Sequence, residues 1–233
     1  MIELEAFLRG QQQVYDKFRA ARDAIRAEGT TPPKTVENRD GYLVIMKHPE
    51  EIVERSTALS RRIAAIVPAM TYEGIAVHTT IGVVGMQYRS PEQQGVDRNA
   101  VALLEDALNV ASRDFAALTI PYERWLYNRD TTIAQGIAGK AFVHLADLVH
   151  ESLQKHNAAE RIGKVQQPWG GHITISRFLE HTPAAQLQDF FNVVEAEPSL
   201  PPSTPEAVCL GYVSVKNGVV GIEILEKFEL KHD

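Results

Sequence analysis

The chain has 233 residues and only one cysteine, Cys209. That excludes an internal disulfide framework and fits a reducing compartment. Cys209 stands in an apolar run, where it reads as a buried small hydrophobe rather than a nucleophile. Long apolar runs are missing as well, and none approaches the length needed to span a bilayer. The first residues have no apolar core of the secretory type. They carry Glu3, Glu5 and Asp16, which a transit peptide avoids. The expectation is a cytoplasmic protein with no membrane association. A net positive charge is also missing. A formal net charge of −6 counts against an extended nucleic-acid footprint, which needs a basic patch to displace counterions. A small nucleotide, or an RNA end held by a few local arginines, remains compatible. No Gly-rich phosphate loop of the P-loop or dinucleotide type is present. No His, Cys or Asp cluster has ligand spacing. His144 and His150 are six positions apart on one helix, about 600° of rotation and off a common face. His150-Glu151 lacks the second histidine of a zinc helix. The reading therefore implies no metal and no cofactor.

What is present is a chain 44% hydrophobic and 23% charged, long enough to bury a core. One domain of two lobes and two small domains both fit this length. Leu4, Phe7, Leu8, Val14, Phe18 and Ile25 recur at near-helical spacing and predict a helix over 3–28, closed by Gly29 and Pro32-Pro33. This N-terminal extension, 1–40, is expected to pack on the main body. A short strand at 41–46 and a helix at 50–66 follow. A strand over 75–84 is closed by Gly85, and a polar loop over 86–98 is long enough to form a lid or rim. A helix over 99–113 leads to an extended stretch, 115–127, in which Pro121 argues for an edge strand or a bulge. Trp125 and Tyr127 alternate along that stretch and could line a cleft, but core packing is the favoured reading. The order then begins again after Asn128-Arg129-Asp130. A strand covers 131–137, a helix 139–157, a strand 172–178 and a helix 184–194. A Pro-rich link spans Pro198 to Pro205. Two final strands, 207–215 and 219–230, are joined at Lys216-Asn217-Gly218, a hairpin signal.

Two stretches stand out within this order, His78-Thr79-Thr80-Ile81 and His172-Ile173-Thr174-Ile175. Both spell His-x-Thr-apolar on predicted strands. Residues two apart on a strand share a face, so each copy projects an imidazole and a hydroxyl together. The imidazole can move a proton near neutral pH, and the hydroxyl can hydrogen-bond an oxyanion. Two copies facing each other would surround one point with the groups that a phosphodiester reaction without metal requires. With 8 histidines, roughly half an occurrence of one copy is expected by chance. Two copies at the same place in a repeat are much harder to obtain that way. The repeat is strand, helix, motif strand, helix, strand, twice, over about 41–127 and 128–230. Tyr42 precedes His78 by 36 positions and Ile133 precedes His172 by 39. The competing reading is that both histidines are half-buried strand residues satisfied by backbone. A duplicated unit places the motif strands on either side of a pseudo-two-fold cleft. The expected fold class is α+β: a bilobed, duplicated β-α-β-α-β unit with antiparallel sheets around a central cleft.

The residues His78-Thr79-Thr80-Ile81-Gly82-Val83-Val84-Gly85 and His172-Ile173-Thr174-Ile175-Ser176-Arg177 resemble the two motifs of the 2H phosphoesterase superfamily, which includes 2′-5′ RNA ligase-like proteins and 2′,3′-cyclic phosphodiesterases. Tyr42 to Pro49 and the helix after it are similar to that family's opening strand, proline and first helix. The resemblance covers about residues 41–230. The N-terminal helix and the loop 86–98 depart from it. The resemblance implies a bilobed sheet fold, both motifs in a central cleft, and hydrolysis without metal. His78 and His172 would be general base and general acid. Thr80 and Thr174 would hydrogen-bond non-bridging phosphate oxygens. Arg177 could add a bidentate contact to phosphate. Strict alternation points Arg177 away from His172, so a bulge or the strand's end would have to re-aim it. Trp169 and Tyr88 could stack a base at the cleft mouth, or pack on core and rim. The leading expectation is a monomeric phosphodiesterase acting on a 2′,3′-cyclic phosphate or a related cyclic or 2′-5′ nucleotide linkage. The alternatives are an RNA end-processing or ligase-type enzyme, and a non-catalytic cyclic-nucleotide-binding module.

Overall fold

The computed structural model describes residues 2–34 and 37–231. Met1, Thr35 and Val36, which fall in the expected 1–40 extension, lie outside the described residues, as do His232 and Asp233.

Helix α1 (Leu4–Glu28) buries Tyr15, Phe18 and Ile25 along one side and stops at Gly29, which has a φ of +84°. Strand β1 (Arg39–Lys47), α2 (Glu50–Ala64), the short β2 (Ala69–Thr71) and the first motif strand β3 (His78–Tyr88) follow. Asp97 caps α3 (Arg98–Ala111) by accepting from the Asn99 N–H at 2.8 Å. Strands β4 (Tyr122–Tyr127) and β5 (Thr131–Gly136) form a hairpin, closed by the Asn128 side chain on the N–H groups of Asp130 and Thr131. Helices α4 (Lys140–Lys155) and α5 (Ala158–Arg161) lead to the short β6 (Val165–Gln166) and the second motif strand, β7 (Ile173–Phe178). Helix α6 (Gln188–Ala196) precedes the last hairpin, β8 (Ala207–Lys216) and β9 (Val219–Glu229).

The strands form two antiparallel sheets, one in the order β6-β3-β1-β8-β9 and one in the order β2-β7-β5-β4. Helices α3 and α4 back the first sheet; α2 backs the second, with α6 packed beside α2 and its Phe190 against Tyr127 and Phe178. A shared apolar core joins them, with Val44 and Leu104 on one side and Ile63 and Phe190 on the other. This is the expected α+β class. The sheets, however, do not coincide with the sequence halves 41–127 and 128–230. Strand β4 joins the second sheet, because a three-residue turn makes it the hairpin neighbour of β5. Strands β8 and β9 join the first sheet along β1. The short strands also cross: β2 pairs with β7, and β6 pairs with β3. The two repeats are therefore interlocked.

Gly85 does not close the first motif strand. Its φ of +61° forms a bulge against β1, and pairing resumes at Gln87 with Asp40. The loop shortens to residues 89–97 and is pinned. Gly95 N–H donates to Asp40 at 3.4 Å, Asp97 N–H to Tyr42 Oη at 2.9 Å and Gln94 Nε2 to the Val215 carbonyl at 2.9 Å. The expected stretch 115–127 narrows to β4, an edge strand, because Pro121 has no N–H for a ladder. Among the described residues, no helix is long and apolar enough to cross a membrane.

Candidate active site

Between the sheets lies a cleft of about 290 Å³, close to the lower size of small-molecule sites. His78 and Thr80 of β3, Thr174 of β7 and His172 just ahead of it all line this cleft, as do Arg177 and Trp169. Tyr88 is outside the lining, 60% exposed at the end of β3. Trp125 and Tyr127 are core, and Cys209 is buried.

Alternation puts each motif's histidine and threonine on the cleft side, while Thr79 and Ile173 are buried behind. Each strand then carries one extra residue directly after the threonine. In β3, Ile45 pairs with Thr80 but Val44 with Gly82, so Ile81 is the insertion. In β7, Ile133 pairs with Thr174 but Thr132 with Ser176, so Ile175 is the insertion. An extra residue reverses the alternation beyond it. Val83 and Arg177, each three positions past its threonine, therefore return to the cleft. The bulge that Arg177 needs is present, and it has a counterpart in the first motif.

Both imidazoles are half-buried, with Nδ1 inward and out of hydrogen-bonding geometry, which leaves Nε2 toward the cleft. Burial is the main cause of lowered pKa values, to about 4 for His78 and about 3 for His172. The Arg177 cation lowers both further, and His78 lowers His172. The backbone of Ala76 and Ile75 beside His78, and of Gly170 beside His172, acts in the opposite sense. With these values both rings are neutral at pH 7. An anion seated between them would favour protonation of one. Neither Thr80 nor Thr174 spends its hydroxyl on a protein partner among the described residues. Arg177 Nε donates to Tyr72 Oη at 2.8 Å. Among the described residues no carboxylate lines the cleft, although the chain as a whole is acidic.

Several supporting residues were not legible beforehand. Thr79 donates toward the carbonyls of His172 at 3.3 Å and Gly171 at 3.4 Å, tying the first motif to the second. Its oxygen lies 3.0 Å from His48 Nε2, and His48 Nδ1 lies 2.8 Å from Ser203 Oγ. Carbonyls only accept, so Thr79 donates to them and accepts from His48 Nε2–H; Nδ1 then accepts from Ser203. Burial holds His48 neutral, with its pKa lowered to about 3.

The N-terminal helix also reaches the site. Tyr15 and Phe18 pack on Leu126 and Ile133. Ile133 is the partner of Thr174, so α1 covers the cleft face of the second sheet. Trp169 stacks on the His172 ring at 3.8 Å and 17°, and Tyr15 meets Trp169 edge-on at 5.6 Å. Gln11 Oε1 accepts from the N–H groups of Ala138 at 3.0 Å and Gly171 at 3.2 Å. A Cβ on Gly136 would stand 2.0 Å from the Gly171 carbonyl, so only glycine lets β5 approach this segment. Arg39, at the start of β1, is a second cation in the cleft. Only Thr79 left a signal in the sequence: the period of two puts it on the back of its strand. Among the described residues, no group of three or more His, Cys, Asp or Glu is placed to hold a metal ion.

No family model and no curated protein matches the sequence. Solved structures do. Escherichia coli LigT complexed with 3′-AMP aligns with a TM-score of 0.52 at 16% identity, over 83% of this chain and 99% of that one. LigT in apo form gives 0.52 at 15% identity, over 84% and 100%. TT0787 of Thermus thermophilus gives 0.50 at 19% identity, over 82% and 97%. The likeness is one of fold: this chain has the two-sheet architecture of these proteins.

Proposed function

We propose that this protein is a phosphodiesterase that hydrolyses a 2′,3′-cyclic phosphate, or a related cyclic or 2′-5′ nucleotide linkage, by two-histidine acid–base catalysis that needs no metal. The observation that supports this most is the convergence of both His-x-Thr copies on one cleft, with Nε2 of each ring facing in. The binding of 3′-AMP by LigT, a nucleotide with phosphate on the ribose, adds to it.

In this reading one neutral imidazole takes a proton from water as it attacks phosphorus. The other imidazole, protonated when the phosphate anion binds, gives its proton to the departing ribose oxygen. One P–O bond forms and one breaks, and a phosphomonoester results. Thr80 and Thr174 donate to the non-bridging oxygens, where negative charge grows. Arg177, held by Tyr72, supplies a charge-assisted contact to the same oxygens.

The test is incubation with nucleoside 2′,3′-cyclic phosphates and 2′-5′ dinucleotides in EDTA, followed by product analysis. Turnover to a phosphomonoester is expected. His78→Ala and His172→Ala should each lose on the order of 10²–10⁴ in kcat/KM. No turnover on any of these substrates, or activity that EDTA abolishes, sinks the reading.

A further inference from the structure

Arg39 lines the cleft but stands away from the proposed chemistry. It pairs with Tyr88 in the register of β1 and β3, and Tyr88 lies eight residues beyond Thr80. Two of those residues are bulge insertions; along β1 the stretch runs from Ile45, the partner of Thr80, to Arg39, roughly 20 Å of strand and still more than an arginine side chain spans. Arg177 lies between the two: its charge acts on both catalytic histidines and on Arg39, whereas Arg39 acts on neither histidine. The cleft thus runs from the histidine pair, past Arg177 and Tyr72, to Arg39.

The surroundings of Arg39 do not neutralise it. It makes no ion pair among the described residues, and its Nε is buried without a partner. Its β8 partner is Val215, and Leu43, Val213 and Val220 line the same end of the cleft. Burial, then the like charge of Arg177, weaken its hold on a proton; the Tyr88 and Tyr72 hydroxyls act in the opposite sense but carry no counter-charge. A guanidinium kept in an aliphatic wall, facing another guanidinium and, among the described residues, no carboxylate, lacks its counter-charge. The scissile phosphate would sit with Arg177 and the histidines. The unmet charge at Arg39 therefore calls for a second anion.

Building on the reading of the cleft as a phosphodiesterase site, we propose that the substrate carries a second phosphate, remote from the scissile one, and that Arg39 binds it. A terminal 5′-phosphate and the internal diester of an oligonucleotide share this chemistry.

Three substrates separate the possibilities: adenosine 2′,3′-cyclic phosphate, the same nucleotide with a 5′-phosphate, and a dinucleotide ending in a 2′,3′-cyclic phosphate. The wild-type protein is expected to favour at least one doubly charged substrate by tenfold or more in kcat/KM, chiefly through KM. The arm that shows the preference identifies terminal or internal phosphate. Arg39→Met should bring the ratio to within twofold of one, and Arg39→Lys should keep part of it. A wild-type ratio near one overturns the proposal, as does a ratio that Arg39→Met leaves unchanged. If no substrate turns over, the phosphodiesterase reading has failed, and calorimetry then tests Arg39 alone. Adenosine 3′,5′-bisphosphate should bind at least tenfold tighter than 3′-AMP to the wild type, and not to Arg39→Met. Equal affinities in the wild type overturn the second-phosphate site.

Discussion

Replacing Gln11 by Met tests whether α1 belongs to the working protein. Met keeps nearly the same volume, so the cavity contribution is small. The hydrogen bonds are what changes. Gln11 Oε1 accepts from two buried backbone N–H groups, of Ala138 at 3.0 Å and Gly171 at 3.2 Å. A thioether does not replace a carbonyl acceptor, so both donors are left unpaired. Each buried orphan costs about 1–3 kcal/mol, so the sum is roughly 2–6 kcal/mol. Local relaxation and the gain from burying an apolar side chain bring the expected loss to about 2–4 kcal/mol, a large part of the ~5–15 kcal/mol typical of a domain. Urea denaturation with linear extrapolation measures it. The site should respond too, because Gly171 adjoins His172 and Trp169 stacks on that ring. The fall in kcat should exceed the fall in 1/KM, since a loosened acid–base group harms the transition state more than ground-state binding. A stability loss below about 0.5 kcal/mol would refute the orphan-donor argument. Unchanged kcat with the full stability loss would refute the link from α1 to His172.

Three further outcomes follow from the geometry. Arg177 lowers the pKa of both cleft histidines, so Arg177→Met should raise both; imidazole NMR titration showing no upward movement would contradict this arrangement. His48 has a folded-state pKa of about 3 against an ordinary 6.5. Between these values the unfolded chain binds a proton that the folded one refuses, so stability falls with pH by about 1.4 kcal/mol per unit from this residue. Above 6.5 the residue contributes no pH dependence; denaturant titrations of wild type and His48→Gln at pH 5 and 7 should show a shallower slope in the variant. Thr79→Val removes the donor to the His172 and Gly171 carbonyls and orphans His48 Nε2–H. A loss of about 1–3 kcal/mol with reduced kcat is expected, and unchanged thermal stability would argue against the bridge.

Much of the fold was written locally. The apolar spacing of α1, α2, α3 and α4, the hairpin at Asn217-Gly218 and the edge position after Pro121 all follow from side-chain periodicity and backbone chemistry within a few residues. Gly85 departs from its local expectation for the same reason. A glycine at a positive φ serves equally to end a strand or to bulge it, and only the presence of β1 alongside decides.

The sequence by itself determined that His78 and Thr80 share a face and that His172 and Thr174 share another, because a period of two needs no partner strand; His172 stands just ahead of its strand. Tertiary structure decided everything that depends on pairing across distance. The exchange of β2 and β6 interlocks the repeats and brings the motif strands together. The insertions at Ile81 and Ile175 exist only as register against a neighbour, and they turn Val83 and Arg177 into the cleft. Thr79, Gln11 and Arg39 acquire their roles from groups far along the chain, which no local pattern announces.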